Sequence, residues 1–207
     1  MKNTKWNSFW NRYKVHTTII VISSCIMGCS LHELLEKKET ILSAAYINAF
    51  PNADDETLMD DFESYLGINT KRKQAVLDSS YYIDENYHSS YTATYAKKFS
   101  CNVLENKFDV IVSDEKYFSL YAEEGLFEDL SLFLTSEQLE QYHDILFYCD
   151  LPYDETEQPV PVGINVTHAP KIICTESYPN TTAYYGIVSG SRYSQNALSY
   201  LTYLETP

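Results

Sequence analysis

Between residues 41 and 125 the hydrophobic pattern alternates between two periods, and this alternation limits the fold more than any other feature of the chain. Ile41 to Phe50 is apolar and small, as a buried strand requires. Asp54-Asp55-Glu56-Thr57 then puts acids where a helix N-terminus favours them, and Leu58, Met59, Phe62, Tyr65 and Leu66 recur at helical spacing up to a stop at Gly67. A second strand is predicted over Ala75–Ile83. A second helix is predicted behind Ser89-Ser90, with Tyr91, Thr94, Tyr95, Phe99 and Val103 on one face. The β-branched run Phe108–Ser113 reads as a third strand, followed by a helix from Glu115 to Glu124 that stops at Gly125. Strands alternating with helices imply right-handed crossovers and parallel pairing. The expected fold class is therefore α/β, a doubly wound and mostly parallel sheet of about five strands with helices on both faces. Ligands of such sheets sit beyond the carboxyl ends of the strands. Here those ends fall near Asn48, Tyr81–Ile83 and Ser113-Asp114.

The second half is less regular. Thr135-Ser136-Glu137-Gln138 has the spacing of a capping box and predicts a helix to about Tyr142. Pro152, Pro159, Pro161 and the acids of 154–157 mark a loop. Val160–Val166 reads as a strand whose prolines suit an edge or a crossover. Ala183–Val188 reads as a further strand, and Ser194 as the cap of a last helix carrying Ala197, Leu198, Leu201 and Leu204.

Charge divides the chain differently. The whole chain carries a net charge of -14, yet residues 1–16 hold Lys2, Lys5, Arg12 and Lys14 and no acid. An uncharged run follows from Val15 to His32, and Trp6, Phe9, Trp10 and Tyr13 precede it like an interfacial aromatic belt. Eighteen helical residues would span about 27 Å, close to a bilayer core. Three readings fit: an uncleaved signal anchor, a lipoprotein signal in which Ile26-Met27-Gly28-Cys29 presents Cys29 for lipid attachment, and a buried core helix. The first two place the acidic remainder outside the cytoplasm. The expected organisation is a basic aromatic cytoplasmic segment (1–16), a membrane segment (17–32), a linker (33–40) and an extracellular α/β domain (41–207).

The acidic balance argues against nucleic acid, whose phosphates need a basic surface. Cys101, Cys149 and Cys174 form no zinc spacing; one disulfide or three buried thiols both fit. The 19 tyrosines suit either a binding surface or an aromatic core. There is no phosphate loop, no paired-histidine spacing and no EF-hand order among Asp150, Asp154, Glu155 and Glu157, and the run Gly186–Gly190 misses the spacing of a nucleophile elbow. No enzyme activity, cofactor or metal is expected.

Phe108-Asp109-Val110-Ile111-Val112-Ser113-Asp114, a helix, and then Leu126-Phe127-Glu128-Asp129-Leu130 resemble type II periplasmic binding proteins, the extracellular solute-binding proteins of ABC importers. Tyr185-Gly186-Ile187-Val188-Ser189 followed by Ser194–Leu204 resembles that family's returning strand and closing helix. The basic-aromatic N-terminus is similar to that of small extracellular proteins of Gram-positive bacteria. The resemblance implies a solute of sugar or peptide class, an ABC transporter permease as partner, and a location at the cell membrane with the ectodomain outside. The family has two lobes closing on a cleft. Here only 16 residues separate Val166 from Ala183, too few for a second lobe, so the chain reads as a single lobe offering a shelf.

Six residues are the candidates for ligand contact. Asp114 and Ser113 end the third strand, Asn48 ends the first, and Asn165 lies on the crossing strand. Tyr81 and Tyr185 offer rings for stacking on a sugar or another planar face. Each has a plainer reading as well: a helix cap for Asp114, turn chemistry for Asn48 and Asn165, core packing for the tyrosines. The expected function is a membrane-tethered extracellular solute-binding module. The alternative is an extracellular protein-interaction or envelope-scaffold domain that has lost its ligand.

Overall fold

A computed structural model describes residues 15–16, 18–28, 38–50, 55–83, 90–151 and 158–207. The chain divides into two units, residues 1–39 and residues 40–207. In the first, residues 15–16 and 18–28 are helical, and Ile19, Ile20, Val21, Ile22, Ile26 and Met27 are all exposed. Among the described residues no helix is long and apolar enough to cross a membrane. Cys29, the linker 33–37, Asp54, Ser89 and the acids of 154–157 lie outside the described residues.

The second unit is an α/β fold around one six-stranded mixed sheet. In chain order its elements are β1 (Glu39–Ile47), α1 (Asp55–Leu66), β2 (Lys73–Tyr81), α2 (Ser90–Leu104), β3 (Val110–Asp114) and α3 (Glu115–Glu123). There follow α4 (Ser136–Tyr142), β4 (Leu146–Cys149), β5 (Val160–Asn165), α5 (Pro170–Cys174), β6 (Ala183–Ile187) and α6 (Ser194–Leu204). The spatial order is β2-β1-β3-β6-β5-β4. β1 and β3 pair in parallel, with Ala44 opposite Val110 and Ile47 opposite Ser113. β2 runs the same way as β1: Gln74 Nε2 reaches Thr40 Oγ1 at their starts, and Asn48 N–H donates to the Tyr81 carbonyl at their ends.

The other three pairings, β3–β6, β6–β5 and β5–β4, are antiparallel. This corrects the expectation of a mostly parallel sheet of five strands. β6 inserts between β3 and β5 in the reverse sense, because the chain returns through α5 without a long crossover. β4 adds a hairpin edge from a four-residue apolar run, too short for its period to be read. β5 is therefore not an edge strand, although it carries Pro161. That residue lies opposite Tyr148, where the β4–β5 register shifts, so its missing N–H falls at an irregularity and interrupts no regular ladder.

Two apolar layers sandwich the sheet. On one face α1 and α6 bring Leu58, Phe62, Tyr200 and Leu204 against Leu42, Tyr46 and Val112. On the other face α2 and α3 bring Phe99, Phe118 and Ala122 against Ala45, Ile47 and Ile111. The tyrosines serve this core heavily: Tyr46 and Tyr200 share a hydroxyl hydrogen bond of 2.7 Å, and Phe62 meets Tyr200 edge-on at 5.0 Å. Phe118 and Phe127 stack at 4.4 Å, each ring contributing about 2 kcal/mol by burial. The stack fits because β5 and β6 carry glycine beneath it. A Cβ on Gly186 would stand 2.6 Å from the Phe127 ring, and one on Gly163 would collide with Phe118. Cys101, Cys149 and Cys174 are free thiols, but none is buried: Cys101 and Cys174 are exposed and Cys149 is half-buried, which corrects the expectation of buried thiols.

Local signals held where the chemistry was specific. Thr135 and Gln138 form the reciprocal capping box of α4. Gly67, at φ 64, ends α1 in the left-handed conformation. Ser194 is different: the cap of α6 is Tyr193, and the Ser194 hydroxyl instead donates to the Ser191 carbonyl.

Candidate ligand groove

The ends of β1, β2 and β3 meet at Asn48. Its backbone is left-handed, with φ 55, a conformation that asparagine tolerates better than other non-glycine residues. Its side chain joins two neighbouring strands. Oδ1 accepts from Ile83 N–H at 2.6 Å, just past β2, and Nδ2 donates to Asp114 Oδ2 at 2.6 Å, at the end of β3. Asp114 Oδ1 accepts from Tyr117 N–H at 3.2 Å and so caps α3. Asp114 is thus both the helix cap and a wall of a hollow of about 310 Å³, which Asn48, Tyr82, Lys116 and Thr181 also line.

A larger hollow of about 840 Å³ shares Asn48, Tyr82 and Thr181 with the first. One wall comes from Phe50, Asp55, Tyr95 and the end of β2, residues 78–80. The Ser79 hydroxyl donates to Asp55. Burial pushes the Asp78 carboxyl upward, but hydrogen bonds from Ser80 and Lys98 outweigh it and lower its pKa. The Lys98 ammonium sits 2.9 Å from Asp78.

Ser177–Thr181, part of the short connection between β5 and β6, also line the larger hollow. Phe50 N–H donates to the Ser177 carbonyl at 2.7 Å. The buried Tyr178 hydroxyl lies 2.9 Å from both the Ile47 and Val112 carbonyls and shares its proton between them. Burial raises the Tyr178 pKa well above the usual phenol value, which keeps that donor in place. The connection too short to be a lobe is therefore long enough to line the hollow.

The six sequence candidates separate clearly. Asn48 and Asp114 are bonded to each other at the groove. Ser113 is fully buried, and its Oγ has no hydrogen-bond partner among the described residues. Asn165 ends β5 at the same edge, but its Oδ1 accepts from Thr167 N–H at 3.0 Å and from Thr167 Oγ1 at 2.7 Å, a closed turn. Tyr81 is wholly buried between Phe99 and Phe108, and Asn102 Nδ2 donates to its hydroxyl. Tyr185 is wholly buried too, and its hydroxyl donates to the Ala197 carbonyl. Neither ring reaches the groove, because hydrophobic burial claims both. Tyr82, 53% exposed, lines both hollows instead. The doublet Tyr81-Tyr82 pointed to this place, but nothing in the sequence says which ring turns inward. Phe50, Tyr95 and the Ser177–Thr181 wall were not anticipated at all. Among the described residues no group of acids, histidines and cysteines is placed to hold a metal ion. No protein-family model matches the chain, and a search of curated proteins finds no match.

Proposed function

We propose that this chain is a membrane-tethered extracellular solute-binding module, non-enzymatic, that works beside an ABC importer permease as a single lobe of the periplasmic-binding-protein type. The observation that carries the reading is the Asn48–Asp114 clasp, which holds polar groups at the carboxyl edge of the parallel strands beside two adjoining hollows that Asn48 lines. Open α/β sheets bind ligands at that edge. The strand arrangement supports the family resemblance. β5 and β6, joined only through α5, lie side by side and antiparallel in the sheet, as the resemblance implies for an outgoing and a returning strand. The tether rests on the sequence alone: the basic residues 1–16, then the uncharged apolar run Val15–His32.

Thermal unfolding of the full-length chain in detergent tests the reading. The panel is sugars, oligosaccharides, amino acids, peptides and divalent cations. A bound solute stabilises the folded state by mass action, by about 2.7 kcal/mol at a hundredfold excess over Kd, and so raises the midpoint. The rise is expected for one class and is expected to vanish in Asp114→Ala. A folded protein that answers to nothing in the panel overturns the solute reading in favour of the interaction-domain alternative.

A further inference from the structure

Resting on that solute-groove reading, we infer that the groove takes a neutral oligosaccharide. A sugar ring shows an apolar C–H face and a rim of hydroxyls. Its site therefore needs an exposed aromatic plane beside short polar side chains that both donate and accept. The larger hollow has both. Phe50 is 64% exposed and Tyr82 is 53% exposed, and both rings line it. Exposed aromatic rings at a cavity wall are costly to leave in water, and stacking a C–H face on them recovers that area. Around them stand Asn48, Ser79, Ser80 and Asn180, all neutral; the Ser79 hydroxyl, which donates to Asp55, keeps acceptor capacity, and Asn48 keeps one amide hydrogen beyond its bond to Asp114.

Charge disfavours anionic competitors. Among the described residues no lysine or arginine lines the larger hollow; Lys116 lines only the smaller one, and the nearby Lys98 is held by Asp78 and Ser80. The two acids of the larger hollow are engaged: Asp78 holds Lys98 and the Ser80 hydroxyl, and Asp55 accepts from Ser79. A volume of about 840 Å³ lies toward the top of the range for small-molecule pockets and suits more than one sugar ring. The strand ends and Ser177–Thr181 both line the hollow.

Saturation-transfer NMR on the full-length chain in detergent tests this, with maltotriose, cellotriose, xylotriose and chitotriose as probes and spermidine, triglycine and glutamate as the charged set. Transfer to the C–H protons of at least one trisaccharide is expected, with affinity falling about tenfold in Tyr82→Ala and staying within twofold in Tyr82→Phe. Both rings are exposed, so Tyr82→Ala and Phe50→Ala are expected to fold with unchanged thermal midpoints. If a charged probe binds in place of the sugars and is lost in Asp114→Ala, the saccharide assignment is wrong and the groove stands. If trisaccharide binding ignores both ring variants, the sugar sits elsewhere and the assignment is overturned. If no probe binds at all, the solute-groove reading fails together with it.

Discussion

Two aspartates stand at opposite ends of β3 and do opposite things. Asp109, just before the strand, is buried, and both carboxylate oxygens are consumed: Oδ2 accepts from Ser43 N–H at 2.8 Å and Oδ1 from the Ser191 hydroxyl at 2.7 Å. Its backbone also donates to the Ser43 carbonyl and accepts from Val188 N–H, so this end of the sheet is closed. Asp114, at the other end, also receives two donors, Asn48 Nδ2 and Tyr117 N–H, but it is only half-buried and faces a hollow. The same side chain thus seals the amino edge of the parallel strands and furnishes the carboxyl edge. Hydrogen-bond partners alone do not tell the two apart; what surrounds the remaining lone pairs does.

The comparison can be broken most forcefully with base. The groove end is held by a phenol, Tyr178, and burial raises its pKa as it does those of Tyr46 and Tyr200; Tyr203 is pushed up to about 12 by burial and by the nearby Asp61. A group whose folded pKa is raised contributes its full stability below its unfolded pKa, about 10 for tyrosine, and loses it as pH climbs toward the folded value. Equilibrium unfolding followed by circular dichroism is therefore expected to show flat stability approaching pH 10 and a steep loss above it. A chain equally stable at pH 9 and pH 12 would refute the role assigned to the buried phenols.

Asp109→Ala tests the closed end. It strands a half-buried backbone donor and a half-buried hydroxyl there and is expected to cost about 2 kcal/mol in denaturant titration, with solute affinity unchanged in the folded fraction. Asn48 tests the open end in two steps. Asn48→Gly keeps the left-handed backbone but loses both side-chain bonds, about 2 kcal/mol; Asn48→Ala adds about 1 kcal/mol for the unfavourable φ. Equal losses in the two variants would show that the backbone conformation contributes nothing. Asp114→Asn is milder, near 1 kcal/mol, because asparagine still caps a helix. Its expected signature is lost solute binding in a protein that still folds. Ser113→Ala is the smallest and has the opposite sign. It removes a buried hydroxyl that has no partner among the described residues and is expected to stabilise the fold by up to about 1 kcal/mol without touching binding.

The sequence was most informative where local chemistry decides structure. The helical spacing of Leu58, Met59 and Phe62, the capping box at Thr135 and the stop at Gly67 all involve neighbours in the chain, and each appears in the fold. Long-range choices were hidden. Nothing near Ala183–Ile187 says that this strand inserts antiparallel between β3 and β5, because strand order depends on connections and not on period. The candidate site divides the same way. Asn48 and Asp114 were legible as strand-end polar residues, the place where α/β sheets put function. Tyr81 and Tyr185 were drawn into the core by burial that no pattern in a strand of nine residues or five can announce. The Ser177–Thr181 wall depends on Tyr178 reaching back to the carbonyls of Ile47 and Val112, the former 131 residues away in the chain.

In the proposed reading the carboxyl edge of the sheet binds solute and the amino edge only holds the strands. Backbone amide NMR of the ¹⁵N-labelled full-length chain, titrated with the solute that raises its melting temperature, reads both edges at once. The account expects shifts clustered at Asn48, Tyr82, Asp114 and Thr181, with Ser43, Asp109 and Ser191 unmoved. Shifts centred on Ser43, Asp109 and Ser191 with a silent groove would contradict it.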